Sequence, residues 1–248
     1  LLDPTTELVS SGGKRWRPLL LVLLTEAVLE DSSLTAEQKQ TALDNAFHVT
    51  PLVEFVHTAS LIHDDIEDHS DTRRGKPAAY KTYGLDTALN SGSWLYFEAP
   101  VCIDTGNFTS EQKLVLYKTY SNELRRLHLG QAMDIKWHND NSSCPTAEEY
   151  IAMVRCKTGT LASLAAKTGI LCGGGSEQLA QECSLAVSKI GAGFQIIDDY
   201  INLTTGNAGK KRGDDIVEGK KSLPVLLYNE KNASNKDKLK ILADCFEQ

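Results

Sequence analysis

Residues Leu52 to Asp68 restrict the folding options of this chain more than any other stretch. They read Leu-Val-Glu-Phe-Val-His-Thr-Ala-Ser-Leu-Ile-His-Asp-Asp-Ile-Glu-Asp. Leu52, Phe55, Val56, Ala59 and Ile66 recur at helical spacing and form one apolar stripe. His57, Asp64 and Asp68 fall on the other side, with Asp65 and Glu54 beside them. Four residues turn a helix by roughly 400°, so Asp64 and Asp68 stack one turn apart on one face. Like charges at that spacing repel by roughly 0.2–0.5 kcal/mol. A helix that is apolar along one side and crowded with carboxylates along the other implies a hard cation. Mg²⁺ suits it, because it takes carboxylate oxygens, keeps several waters and bridges to phosphate. Taken alone, the stretch reads equally well as a solvated acidic face.

A second acidic helix and several cationic motifs decide between the two. Phe194-Gln195-Ile-Ile-Asp198-Asp199-Tyr-Ile-Asn202 lies in a helix read over Glu177 to Leu203, and Asp198 and Asn202 are again one turn apart. Gly12-Gly13-Lys14-Arg15-Trp16-Arg17-Pro18 places backbone N–H groups, a helix start and cations at one point, which suits an anion. Asp71-Thr-Arg73-Arg74-Gly75-Lys76-Pro77 reads as a loop whose arginines can reach back toward the acids, or simply pair with Asp68 or Asp71. Lys157-Thr158-Gly159 interrupts a helical pattern and predicts a kink with exposed carbonyls. Gln131 and Asp134 share a face of the preceding helix, and Gly209-Lys210-Lys211-Arg212-Gly213 and Glu218-Gly219-Lys220 are further cationic loops.

No strand-like alternation of useful length occurs, so the expectation is all-α: a single domain over 1–248 with about ten helices and no internal linker. Thr35, Thr109 and Thr146 open helices, Thr35 and Thr146 with capping patterns, and Asp86 is expected to cap a helix from Thr87 to Phe97. The net charge of −7 argues against a general polyanion binder, so no nucleic-acid partner is expected. No apolar run reaches the ~18 residues a membrane span needs, and the start lacks a signal-peptide layout. The six cysteines have no paired short spacing and read as free thiols, which points to a cytoplasmic protein. Two carboxylate banks with dispersed Lys and Arg suggest a metal-bridged diphosphate whose departure is eased as charge develops on it. No Ser-His-Asp set, P-loop or dinucleotide fingerprint competes.

In order, Gly-Gly-Lys-x-x-Arg-Pro, His-Asp-Asp-x-x-Asp, Arg-Arg-Gly, Gly-Gln-x-x-Asp, Lys-Thr-Gly, Phe-Gln-x-x-Asp-Asp and Glu-Gly-Lys resemble the trans-isoprenyl diphosphate synthase (polyprenyl synthetase) family, over about residues 12 to 224. Asp-Asp-Ile-Glu-Asp-His-Ser, Asp-Asp-Tyr-Ile-Asn-Leu and Cys-Pro-Thr-x-Glu-Glu-Tyr are similar to geranylgeranyl diphosphate synthases of the eukaryotic type. Gly-Gly-Lys-Arg-Trp-Arg-Pro is closer to bacterial and archaeal wording. The resemblance implies a helical bundle around a deep central cavity, usually a homodimer, and a Mg²⁺-dependent prenyltransferase. It joins isopentenyl diphosphate to an allylic diphosphate (dimethylallyl, geranyl or farnesyl) and lengthens it by five carbons. It also implies the roles. Asp64, Asp65 and Asp68 would hold two Mg²⁺, and Asp198, with Asp199 and Asn202, a third. Arg73, Lys157, Lys210 and Lys220 would contact the allylic diphosphate, and Lys14, Arg17, His57 and Arg74 the isopentenyl diphosphate. Thr158 and Gln195 would place oxygen dipoles near the allylic cation. Asn202 stands where the family commonly has Asp, a mark of the geranylgeranyl type. Family members usually extend further at both ends.

Ala59 and Ser60, one turn before Asp64, are small, which argues against short products by simple close packing. A floor is expected deeper, with Trp94, Tyr96 and Phe97 as candidates, and the expected product is C20. The alternatives are a farnesyl or longer-chain synthase, a non-catalytic partner subunit, which predicts broken acidic motifs, and a terpene cyclase, which needs no isopentenyl site.

Overall fold

The computed structural model describes residues 1–140, 144–206 and 212–246. The described residues form helices almost throughout. The first four are α1 (Leu2–Ser10), α2 (Trp16–Glu30), α3 (Ala36–His48) and α4 (Pro51–Glu67). A hairpin of β1 (Thr72–Arg73) and β2 (Lys76–Pro77) leads into α5 (Ala79–Tyr83), α6 (Leu85–Glu98) and α7 (Val101–Thr105). Then come α8 (Ser110–His138), α9 (Ala147–Lys157), α10 (Gly159–Cys172) and α11 (Glu177–Thr204). The last are α12 (Asp214–Val217), α13 (Leu223–Lys231) and α14 (Lys236–Phe246). The number exceeds the expected ten largely because α5, α7 and α12 are single turns of 5, 5 and 4 residues.

The helix starts follow the local chemistry. Thr35 with Gln38, Thr109 with Gln112 and Thr146 with Glu149 form reciprocal capping boxes that satisfy otherwise orphaned N–H groups. Pro51 occupies the first turn of α4, where its missing N–H costs nothing. Asp86 does not cap its helix: Gly84, at φ 84°, separates α5 from α6, and Asp86 falls inside the first turn. The Arg73–Lys76 segment is not a plain loop. Arg74 and Gly75 have φ of 55° and 77°, and Arg73 pairs with Lys76, which makes a two-residue hairpin turn with both central residues left-handed.

α10 occupies the centre, against α2, α8, α9 and α11. It is built for that place from small residues: Ala162, Ala165 and Ala166 are fully buried. Gly169 lies so close to α2 that an added Cβ would stand 2.3 Å from the Leu21 carbonyl oxygen. α4 buries Leu52, Val53, Val56, Ala59 and Ile62 in the same core. Its opposite side, with Asp64, is thereby turned toward α8 and α9.

Candidate active site

A cavity of about 530 Å³ opens between α4, the hairpin, α8, α9, α11 and the segment after α12. Ser60, Leu61 and Asp64 line it from α4, Lys157 and Thr158 from the α9–α10 break, Gln195, Asp198 and Asp199 from α11. The two acidic helices therefore face one space. Arg73, Arg74 and Lys220 line it too.

The acids are interleaved with cations. Lys157 Nζ lies 3.0 Å from Asp64 Oδ1 and 2.5 Å from Asp134 Oδ2. Arg73 donates from Nε to Asp65 Oδ1 at 2.7 Å and stands 3.4 Å from Asp64 Oδ2. Lys220 spans from the segment after α12 to Asp68 Oδ2 at 2.7 Å and Glu218 Oε2 at 2.8 Å. Gln131 donates to Asp64 at 3.2 Å and to Glu67 at 2.5 Å. Lys157 can reach both acids because Gly130 lets α8 touch the α9 backbone; a Cβ there would lie 2.3 Å from Lys157 N.

Burial pushes the Asp64 carboxyl up, but Lys157, Lys220 and Arg73 override it and hold it well below the usual carboxylate range. Asp65 and Asp68 move the other way: burial raises both, and neighbouring carboxylates add to it. Burial would lower Lys157 and Lys220, yet the surrounding acids keep both ammonium groups firmly charged.

On α11 the side chains form a chain of hydrogen bonds. Thr158 Oγ1 donates to Gln195 Oε1 at 3.1 Å, Gln195 Nε2 donates to Asp199 Oδ1 at 2.9 Å, and the Tyr150 hydroxyl donates to Asp199 Oδ2. Asp198 is exposed at the cavity wall, whereas Asp199 is 5% exposed.

A recess of about 180 Å³ adjoins the cavity and shares Arg17, His57 and Arg74 with it. Lys14 and Arg15 complete its basic lining, with Glu54 as the one acid. Arg15 pairs with Glu54 at 2.9 Å, and Arg74 donates to the carbonyls of Leu8, at 3.2 Å, and Gly12. Desolvation lowers Arg17 to about 10. Burial, then Arg17, Arg74, Arg73 and Arg15, push His57 well below its ordinary value, so its imidazole is neutral.

Several expected site residues lie elsewhere. Asn202 is fully buried and does not line the cavity; its Oδ1 accepts from the Asp215 backbone N–H at 3.4 Å. Phe97 is 78% exposed, because its position on α6 turns it outward, and it forms no part of the wall. Ala59 is buried in the core behind Ser60. Tyr96 is buried between the rings of His63, at 5.5 Å, and His128, at 5.1 Å. Lys210 lies outside the described residues. Arg15 and Glu54, seen in the sequence only as parts of a cationic motif and an acidic face, pair at the recess, and Tyr150 lines the cavity although no motif assigned it a role.

The model of the polyprenyl synthetase family matches residues 1–248. The chain belongs to the polyprenyl synthetase family. Among curated relatives, the geranylgeranyl pyrophosphate synthase penG of Penicillium ochrochloron is 34% identical over 227 residues, which cover 90% of this chain and 57% of that protein. Geranylgeranyl pyrophosphate synthase 2 of Zymoseptoria tritici is 35% identical, over 91% of this chain and 63% of its own length. This polyprenyl synthetase chain thus spans little more than half of those relatives. Of solved structures, a geranylgeranyl pyrophosphate synthase superposes with a TM-score of 0.85 at 27% identity, covering 98% of this chain and 70% of the other. A geranyltransferase from Helicobacter pylori, complexed with magnesium and isoprenyl diphosphate, gives 0.78 at 27% identity, over 97% and 78%.

The residues present fit a divalent metal of the magnesium kind. The donors are hard carboxylate oxygens, and Asp65 Oδ2 is buried with no hydrogen-bond partner. Among the described residues no three His, Cys, Asp or Glu groups converge on one point. That suits an ion completed by a phosphate ligand better than an all-protein cage.

Proposed function

We propose that this chain carries the active site of a Mg²⁺-dependent trans-prenyltransferase that condenses an allylic diphosphate with isopentenyl diphosphate, yielding geranylgeranyl diphosphate (C20). One observation carries the reading: Asp64 and Asp198, from different helices, line a single cavity together with Lys157, Arg73 and Lys220, beside a separate basic recess. The recess is what a cyclase would lack, and the intact acidic helices are what a non-catalytic partner would lack.

Asp64, Asp65 and Asp68 would hold two Mg²⁺ and Asp198 a third. Bound there, the ions neutralise charge that grows on the leaving diphosphate. Lys157, Arg73 and Lys220 grip the same diphosphate as point charges and a guanidinium fork. When the allylic C–O bond ionises, the pair of electrons leaves with the diphosphate. Gln195 Oε1 and Thr158 Oγ1 present oxygen dipoles to the resulting cation. Lys14, Arg17 and Arg74 hold isopentenyl diphosphate by its charge, and neutral His57 adds a hydrogen bond without adding charge. The isopentenyl double bond attacks, one C–C bond forms, and a proton passes to the departed diphosphate.

Exposed Leu85, Leu89, Phe97 and Val101 on α6 and α7 support a homodimer through that face, which sedimentation velocity reads directly. Six unpaired thiols support a cytoplasmic setting. Among the described residues no helix is long and apolar enough to cross a membrane.

The test is product analysis by mass spectrometry from each allylic primer, with and without isopentenyl diphosphate. C20 diphosphate should form only when both are present. Asp64→Asn and Asp198→Asn should each cut turnover on the order of 100-fold or more. Hydrocarbon released from the allylic substrate alone, or turnover indifferent to both changes, sinks the reading.

A further inference from the structure

Two adjacent aspartates on α11 are in different circumstances. Asp198 is exposed at the cavity wall, whereas Asp199 is buried and both its oxygens are engaged, Oδ1 by Gln195 Nε2 and Oδ2 by the Tyr150 hydroxyl. Tyr150 is itself 2% exposed, so this contact is well removed from solvent. Burial raises the Asp199 carboxyl, but the hydrogen bonds from Tyr150 and Gln195 favour its ionised form, and an ionised carboxylate only accepts hydrogen bonds. It therefore dictates which way the Gln195 amide is turned: the NH₂ must face Asp199, and the carbonyl oxygen is left toward Thr158. Thr158 Oγ1 donates to that oxygen at 3.1 Å, which fixes the same orientation from the other end. Gln195 and Thr158 both line the cavity.

We infer that Asp199 and Tyr150 are a positioning pair that locks the Gln195 amide with its oxygen toward the reacting allylic carbon, and that Asp199 is not a metal ligand. The inference rests on the prenyltransferase reading above. A reversed amide would present N–H dipoles, positive ends first, to a developing cation. Orientation of this one group therefore changes the sign of its effect on the barrier. Tyr150 holds the Asp199 oxygen that Gln195 does not, so each carboxylate oxygen has its own donor.

Two near-isosteric variants test it. Asp199→Asn leaves an amide that can donate or accept, so Gln195 loses its fixed sense. Tyr150→Phe removes only the hydroxyl. Both should lower kcat roughly 10- to 100-fold, a loss of the size that misplacing one catalytic dipole brings, with KM for both substrates within about twofold. The second readout is calorimetric binding of an inert thiolo-diphosphate analogue of geranyl diphosphate at increasing Mg²⁺. Half-saturating Mg²⁺ should be unchanged in both variants and raised by about tenfold or more in Asp198→Asn, since losing a ligand costs at least as much as losing a group that only orients one. If Asp199→Asn raises it as Asp198→Asn does, Asp199 is a metal ligand and the inference is wrong. An unchanged kcat in Tyr150→Phe also overturns it. A wild-type chain that binds the analogue but never condenses would instead count against the prenyltransferase reading.

Discussion

His57 shows how a single residue is set by its neighbours. Burial, Arg17, Arg74, Arg73 and Arg15 all disfavour its charged form, so its folded pKa lies well below 6.5. The unfolded chain takes up a proton as pH falls through about 6.5 and the folded chain does not. Stability attributable to His57 is therefore full above that pH and declines below it. His57→Gln should lose less melting temperature between pH 7 and pH 5 than the parent does, measured by scanning calorimetry in matched salt. An equal or larger loss would show that His57 is protonated in the fold. At this scale the sequence was readable in part where one motif held its own chemistry: Asp64, Lys157, Gln195 and Arg74 reach the cavity walls, whereas Asn202, in the same motif as Gln195, does not. It was not readable where partners are far apart in the chain. Tyr150 and Asp199 are 49 residues apart, and nothing periodic announces their contact. Phe97 misled for a related reason: one residue along a helix is a turn of roughly 100°, so Tyr96 faces the core and Phe97 faces out.

At the scale of elements, the decisive contact is α8 against the start of the α9–α10 break. Gly130 permits it, because any side chain would meet Lys157 N at 2.3 Å and Lys157 Cα at 2.8 Å, both backbone atoms that cannot simply swing aside. Gly130→Ala should cost about 1–3 kcal/mol in urea unfolding, the range for overpacking. It should also depress kcat roughly 100-fold by shifting the Lys157 ammonium away from its acids. A variant as active and stable as the parent would mean that the two helices can slide apart freely. Helix starts were legible at Thr35 and Thr146 because a capping box lies within four consecutive residues, and at Thr109 from amphipathic spacing, the structure adding a capping box there too. The β1–β2 hairpin was not, since Arg74 in a left-handed conformation breaks the usual preference for glycine or asparagine there. Arg74 is held in that state by the carbonyls of Leu8 and Gly12 on a distant part of the chain.

Across the whole molecule, Tyr96 is buried outside the cavity lining, and we propose it as the point where a growing apolar tail would end. Its two ring neighbours, His63 and His128, are each next in sequence to a residue that lines the cavity, Asp64 and Leu127. Tyr96→Ala should lengthen the product by at least one five-carbon unit, and Phe97→Ala should leave product length as it is, both read by mass spectrometry. The opposite pattern would put the floor on the outward side of α6. The all-helical architecture and the facing of the two acidic helices were legible from periodicity and motif order. The exposure of Phe97 depends on which helices surround α6, a property of the assembled bundle alone. A last consequence follows from Lys157 lying between Asp64 and Asp134, and Lys220 between Asp68 and Glu218. Such a site trades counter-ions. A cation arriving alone would have to evict an ammonium, and an anion arriving alone would have to evict a carboxylate. Arriving together, each takes the group the other has set free, so the two ligands would bind in strong mutual synergy and weakly apart.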